Sequence, residues 1–190
     1  RETLFTHRLF ALHRDSLAAD IGGLSATGAV VAHREALILD APSWVNVIAL
    51  TPDDRVLLVR QWRYGIGAPT LEIPGGMVEV AEGEAPEVAA GRELFEETGY
   101  RAAEWARAGV LHNAIAYSNE HIEIWFARGL TAGAQQLDAG EFLDVVTMTA
   151  DEMLALAAGG GLTDAKTMVG LLWLQNWRAG RWNLIWRPAP

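Results

Sequence analysis

Three carboxylates crowd the segment Arg92-Glu93-Leu94-Phe95-Glu96-Glu97-Thr98-Gly99. On a helix, Glu93, Glu96 and Glu97 stand at i, i+3 and i+4 and therefore share one face. Anions held this close repel one another unless positive charge sits among them. Arg92 supplies one such charge, spaced i, i+4 from Glu96. A divalent metal would supply more, because Mg2+ or Mn2+ is a hard cation that takes oxygen ligands. The competing reading is a solvated acidic helix face with one ion pair, worth about 0.2–0.5 kcal/mol. The surroundings favour the metal. A glycine-rich turn, Pro74-Gly75-Gly76, follows a short strand, Glu84 precedes Arg92 by eight residues, and Gly99 ends the helix promptly.

The elements that must position these groups can be read from local signals. A helix is predicted over residues 86–98, with Pro86 suited to its first turn, an Ala-, Leu- and Glu-rich interior, and Gly99 just past its end. Leu94 and the Ala89-Ala90 pair give it an apolar side for packing. Strands are expected at Leu9–Leu12, Ala29–Ala32, Ala36–Leu39, Trp44–Leu50, Val56–Val59 and Leu71–Ile73, with alternation marking another at Ile122–Phe126. Gly22-Gly23 separates the first two, and Thr51-Pro52-Asp53-Asp54 reads as a turn. Thr149 with Glu152 forms a capping-box pattern for a helix through Ala158, and Asp164 can cap a last helix toward Arg178, closed by Gly180. Strands, one helix, strands and then helices imply a mixed α/β (α+β) sandwich, not repeated βαβ units.

Composition sets the outer limits. The 190 residues suit about one domain, and the absence of cysteine removes disulfides, thiolate metal sites and cysteine nucleophiles. Fifteen Lys+Arg against 24 Asp+Glu give a net charge of −9, which disfavours a nucleic-acid or anionic-membrane partner. No apolar run reaches the roughly 18 residues of a membrane span. A cytoplasmic location is expected.

The window from Gly76 to Tyr100 resembles the signature of the Nudix hydrolases, G-x5-E-x7-R-E-U-x-E-E-x-G-U, where U is aliphatic or aromatic. Glu84, Arg92, Glu93, Leu94, Glu96, Glu97, Gly99 and Tyr100 match in type and spacing. Gly76 departs from it, standing eight residues before Glu84 where the family pattern has six, so the Met77–Gly83 loop carries two extra residues. The resemblance implies a Nudix-type α/β/α sandwich with a mixed sheet and an N-terminal strand extension. It implies hydrolysis of a nucleoside diphosphate linked to another moiety, with Mg2+, or alternatively Mn2+, as cofactor. Glu93 and Glu97 would be metal ligands, Glu96 a ligand or helper held by Arg92, the Gly75 or Gly76 carbonyl a further ligand, and Glu84 either the group orienting Arg92 or the holder of an outer-shell water.

The residues around this window resemble the ADP-sugar (ADP-ribose) pyrophosphatase subgroup. Arg60-Gln61-Trp62-Arg63-Tyr64 and Leu71-Glu72-Ile73-Pro74-Gly75-Gly76 carry that likeness, as does Ser118-Asn119-Glu120. Carried over, Arg63 contacts the substrate, Glu79 is the acidic residue after the loop glycine, and Glu120 is the base that activates water. Trp62 is an aromatic on which a nucleobase can stack. Ile115 stands where the subgroup often has proline, and Tyr117 keeps dinucleoside-polyphosphate hydrolases in view. The subgroup implies a homodimer, with residues 1–42 forming its N-terminal strands and residues 43–190 the hydrolase domain. Trp173 and Trp177, spaced i, i+4, are expected to pack the last helix. Besides an ADP-sugar hydrolase, a GDP-sugar hydrolase and a nucleotide-sensing module without catalysis remain alternatives. The retained Glu93, Glu96 and Glu97 weigh against the sensor.

Overall fold

A computed structural model describes residues 1–19, 31–137, 140 and 142–189. They fall into two compact units, Arg1–Pro42 with His112–His121, and Ser43–Leu111 with Ile122–Pro190. The expected Gly22-Gly23 break, and residues 29–30 of the strand placed at Ala29–Ala32, lie outside the described residues.

The first unit is a three-stranded antiparallel sheet of β1 (Glu2–His7), β2 (Phe10–Ala19) and β3 (Val31–Asp40), with β2 central. The segment 112–121 is tied to the end of β3. The Leu39 amide donates to the Tyr117 carbonyl at 2.7 Å, and the Ala41 amide donates to the Asn119 side-chain oxygen at 2.9 Å.

In the second unit, β4 (Trp44–Ala49), β7 (Tyr100–Leu111), β8 (Ile122–Ala132) and the short β10 (Arg187–Pro188) form a mixed sheet in the order β10-β7-β8-β4. Only the β4–β8 pairing is parallel there. A second, antiparallel sheet has the order β6-β5-β9, from Ala68–Glu72, Val56–Arg63 and Leu143–Met148. Successive side chains of a strand point to opposite faces, and β4 uses both. Val45, Val47 and Ala49 join a core with Ala89, Ala90 and Leu94 of α1 (Pro86–Thr98). Ile48 joins another with Met153 of α2 (Ala150–Ala158) and Leu171 and Leu174 of α3 (Ala165–Arg178). The unit is therefore an α/β/α sandwich. Gly170 lets α3 approach closely, since a Cβ there would meet Ile48 and Ile73 at 3.3 Å.

The helices follow their local signals. Gly99 takes φ 75° and donates its amide to the Phe95 carbonyl, Thr149 and Glu152 complete a capping box, and Asp164 accepts from the Thr167 amide. Trp177 lies edge-on to Phe126 at 5.8 Å and near Trp186 at 5.7 Å, as packing requires. Strands β1, β7, β9 and β10 carry no such signal. The β7 segment YRAAEWARAGVL is rich in helix formers, yet it pairs with β8 from Tyr100↔Ala132 to Leu111↔Ile122. Burial of Trp105 and Ala106 against the sheet's two cores overrides that intrinsic preference.

Candidate active site

Helix α1 buries Ala89, Ala90, Leu94 and Glu97 and leaves Arg92, Glu93 and Glu96 half-buried. Arg92 is the hub. Its Nε and one terminal nitrogen donate to the two oxygens of Glu84 at 2.8 and 3.0 Å. The other terminal nitrogen bridges Glu93 at 2.8 Å and Glu96 at 3.0 Å, while the one bonded to Glu84 also donates to the Met77 carbonyl at 2.9 Å. Hydrogen bonds from Arg92 hold the Glu84 carboxyl below its ordinary value, and its bonds to Glu84 first, then the charge and bonds of Glu93 and Glu96, hold the guanidinium firmly charged.

The loop from Ile73 to Gly76 faces these carboxylates and is pinned from several sides. Glu97 Oε2 accepts the Gly75 amide at 2.8 Å. A Cβ on Gly76 would overlap the Glu93 carboxylate in its present position, so glycine lets the two lie this close. The Asn46 amide donates to the carbonyls of Ile73 and Pro74 at 3.1 and 3.3 Å, and the Ile73 amide donates to Thr167 Oγ1 at 2.9 Å. The Gly76 carbonyl accepts from the Val45 amide at 2.9 Å and retains its second lone pair.

The structure thus brings together Glu84, Arg92, Glu93, Glu96, Glu97 and Gly76. Three carboxylates meet one arginine, with Glu97 bonded to the adjoining loop, an excess of hard oxygen donors over positive charge that fits a divalent ion. Glu93 and Glu96 are turned onto Arg92, and among the described residues no three acidic or histidine side chains converge as a preformed metal cage. Rotation of those two carboxylates would present them to an ion.

Arg63 makes a two-pronged pair with Glu72, at 2.7 Å for each prong, and Glu72 is 2 % exposed. Glu97 is near enough to add to the field on Arg63, which stays firmly charged chiefly through its bonds to Glu72. Trp62 points to the opposite face of β5, into a cavity of about 390 Å³ with Arg60, Phe142 and Asp144. Arg63 and Trp62 therefore do not meet. Glu79 is exposed, and its amide donates to Glu84 at 2.9 Å, while repulsion from Glu82 raises its carboxyl. Glu120 belongs to the first unit, where Asn113 donates to it at 2.9 Å. Asn46 and Thr167 escaped the sequence reading. A lone polar residue within the apolar run Trp44–Leu50 was the available signal for Asn46; Thr167 had none.

The NUDIX domain model matches residues 42–168, which include this whole carboxylate cluster. The chain belongs to the Nudix family. As a Nudix hydrolase it is 31 % identical over 176 residues to the methanol dehydrogenase activator of Bacillus methanolicus, covering 92 % of this chain and 89 % of that protein. It is 32 % identical over 140 residues to the ADP-ribose pyrophosphatase of Bacillus subtilis (strain 168), covering 73 % and 75 %. The solved structure of an ADP compounds hydrolase superposes with a TM-score of 0.78 at 24 % identity, over 95 % of this chain and 92 % of that one, which establishes the shared fold. Divalent-metal use is general in this family. No described helix of this Nudix hydrolase is long and apolar enough to cross a membrane.

Proposed function

We propose that this Nudix hydrolase adds water across the pyrophosphate of ADP-ribose or a related ADP-sugar, releasing AMP and a sugar phosphate. The observation that carries the chemistry is the Arg92 hub, which gathers Glu84, Glu93 and Glu96 beside the Gly75-Gly76 loop and Glu97. The substrate class rests on relatives that are named ADP-ribose and ADP-sugar pyrophosphatases.

Glu93, Glu96, Glu97 and the Gly76 carbonyl would hold the metal, with Mg2+ the first choice. When bound, such an ion supplies neutralising charge for the pyrophosphate and a more acidic water for in-line attack. The chain's own residues do the rest. Arg92 keeps Glu93 and Glu96 from repelling each other apart, and Glu84 fixes Arg92. Asn46, Thr167 and Glu97 fix the loop, so its carbonyl keeps one position. Arg63 is the substrate-facing cation, oriented by Glu72, and Trp62 offers an aromatic face to a base. Glu79 and Glu120 enter through the resemblance, Glu120 as the base that takes the proton from water. The working enzyme is a cytoplasmic homodimer, with residues 1–42 forming the contact between copies and residues 43–190 the hydrolase domain.

Purified protein with Mg2+ is expected to convert ADP-ribose to AMP and ribose phosphate, read by chromatography against diadenosine polyphosphates and GDP-sugars. Preference for either of the latter overturns the substrate class. Cleavage unaffected by Glu97→Gln overturns the metal-site assignment. Glu120→Gln tests the base, with kcat expected to fall by about 10²-fold or more at unchanged metal affinity.

A further inference from the structure

The segment that carries Glu120 is irregular backbone between β7 and β8, and it takes its order from the end of β3 within the same unit. Leu39 and Ser118 form an isolated parallel bridge. Ser118 Oγ donates to the Leu39 carbonyl and accepts the Glu120 amide, each at 3.1 Å. From the other end of the segment, Asn113 holds the Glu120 carboxylate itself at 2.9 Å.

Asn119 adds a two-ended lock. Its side-chain oxygen accepts the Ala41 amide at 2.9 Å, and its Nδ2 donates to Asp40 Oδ1 at 2.6 Å. Ala41 presents a donor there and Asp40 an acceptor, so an asparagine satisfies both at once, whereas an aspartate would set two carboxylates together. Asp40 is aimed in its turn. Its Oδ2 stands 3.3 Å from Nε2 of the buried His13, and Thr3 Oγ1 lies 3.1 Å from His13 Nδ1. Arg1, at 3.8 Å from Asp40, is held by two bonds to Asp15 at 2.7 Å and does not depend on it. Thr3, His13, Asp40 and Asn119 thus run in a line from β1 through β2 and β3 to the residue before Glu120. Asn119 is exposed, and fixing an exposed side chain at both ends costs conformational entropy. What that order secures is the backbone on which Glu120 stands.

We infer that Asn119, locked by Asp40, is a positioning residue for Glu120, and that the N-terminal sheet thereby sets where this carboxylate stands. Its purpose rests on Glu120 being the base, as proposed above. A base displaced by about an ångström loses much of its effect on rate.

The test reverses the two partners. Asn119→Asp alone brings two carboxylates face to face, and kcat for ADP-ribose with Mg2+ is expected to fall about 10-fold at unchanged KM. Adding Asp40→Asn restores each bond in the opposite sense, since residue 40 then donates to residue 119 and still accepts from His13. Recovery to within about 2-fold of the parent is expected, and no recovery overturns the lock. In a Glu120→Gln background, Asn119→Asp should lower kcat no further. An equal fall there overturns the inference while leaving the base in place, because the lock would then act on another group. Amide hydrogen exchange reads the lock without turnover. Protection of the Leu39, Ala41 and Glu120 amides should drop about 10-fold in Asn119→Asp and return in the double variant. Unchanged protection in Asn119→Asp overturns the lock whatever the substrate. Full activity of Glu120→Gln overturns the base and with it the positioning role, a failure told apart by protection that still follows the Asn119–Asp40 pair.

Discussion

Two arginine–glutamate clusters lie in the same sandwich and differ in charge balance. Around Glu72, two cations, Arg63 and Lys166, face two carboxylates, Glu72 and Asp164. Thr70 adds a neutral hydrogen bond to Glu72 at 2.5 Å, and Thr167 one to Asp164 at 2.7 Å. Around Arg92, one cation faces Glu84, Glu93 and Glu96, with Glu97 close by on the same helix face. The first cluster is complete as it stands. The second has more carboxylates than cations, and that imbalance supports the metal site proposed above. Acidic residues alone do not single out a site, since both clusters contain them; the difference in balance is what favours the proposed one.

The comparison breaks most directly at Glu97. Glu97→Gln keeps a side chain that can accept the Gly75 amide but removes a charge, so kcat for ADP-ribose should fall by about 10²–10³-fold with the circular dichroism spectrum unchanged. Next comes Arg92→Met, which leaves three carboxylates without their cation. Urea denaturation should show a loss of about 3 kcal/mol, and excess Mg2+ should recover part of it by taking the arginine's place. Glu72→Gln should cost about 2 kcal/mol, because Arg63 then keeps only neutral acceptors. Mg2+ should not recover this loss. Equal rescue of the two variants would show that charge balance does not separate the clusters. The smallest effect is expected for Lys166→Met, about 1 kcal/mol, since its ammonium pairs with Asp164 at 2.6 Å but stands 3.7 Å from Glu72.

Acid should read both clusters together. Hydrogen bonds from Arg92 depress Glu84. At Glu72, burial raises the carboxyl, but the bonds from Arg63 and Thr70 outweigh it and leave it depressed. A carboxyl depressed in the folded state binds fewer protons there than in the unfolded chain. Its stabilisation is present above the ordinary value of 4.5 and is lost as pH falls below that and through the depressed value. Thermal melts should therefore be flat above about pH 5.5 and fall below 4.5. Glu84→Gln and Glu72→Gln should each flatten part of that fall.

Much of α1 and its chemistry was legible because the signals are local. Pro86, Gly99 and the 93/96/97 spacing act within a few residues of themselves, and Arg92 reaches Glu96 along one helix face. The same holds for the capping box at Thr149 and the cap at Asp164. Arg63 was legible as a polar residue near the site but not as the partner of Glu72. That pairing depends on β5 and β6 lying side by side with Arg63 opposite Ala68 and Val59 opposite Glu72. Asn46 and Thr167 were silent because their role is to hold a loop about 27 and 94 residues away along the chain.

The amino-acid sequence by itself therefore determined the carboxylate helix, its ends and its family, because helix capping and i, i+4 contacts need no distant partner. Tertiary structure alone decided that the Ala-rich segment Tyr100–Leu111 is a strand, and that the loop at Gly75-Gly76 is pinned from α1, β4 and α3. It also decided which of two similar clusters is left short of positive charge. Those outcomes rest on long-range pairing and burial, where packing against neighbours outweighs what any short segment prefers.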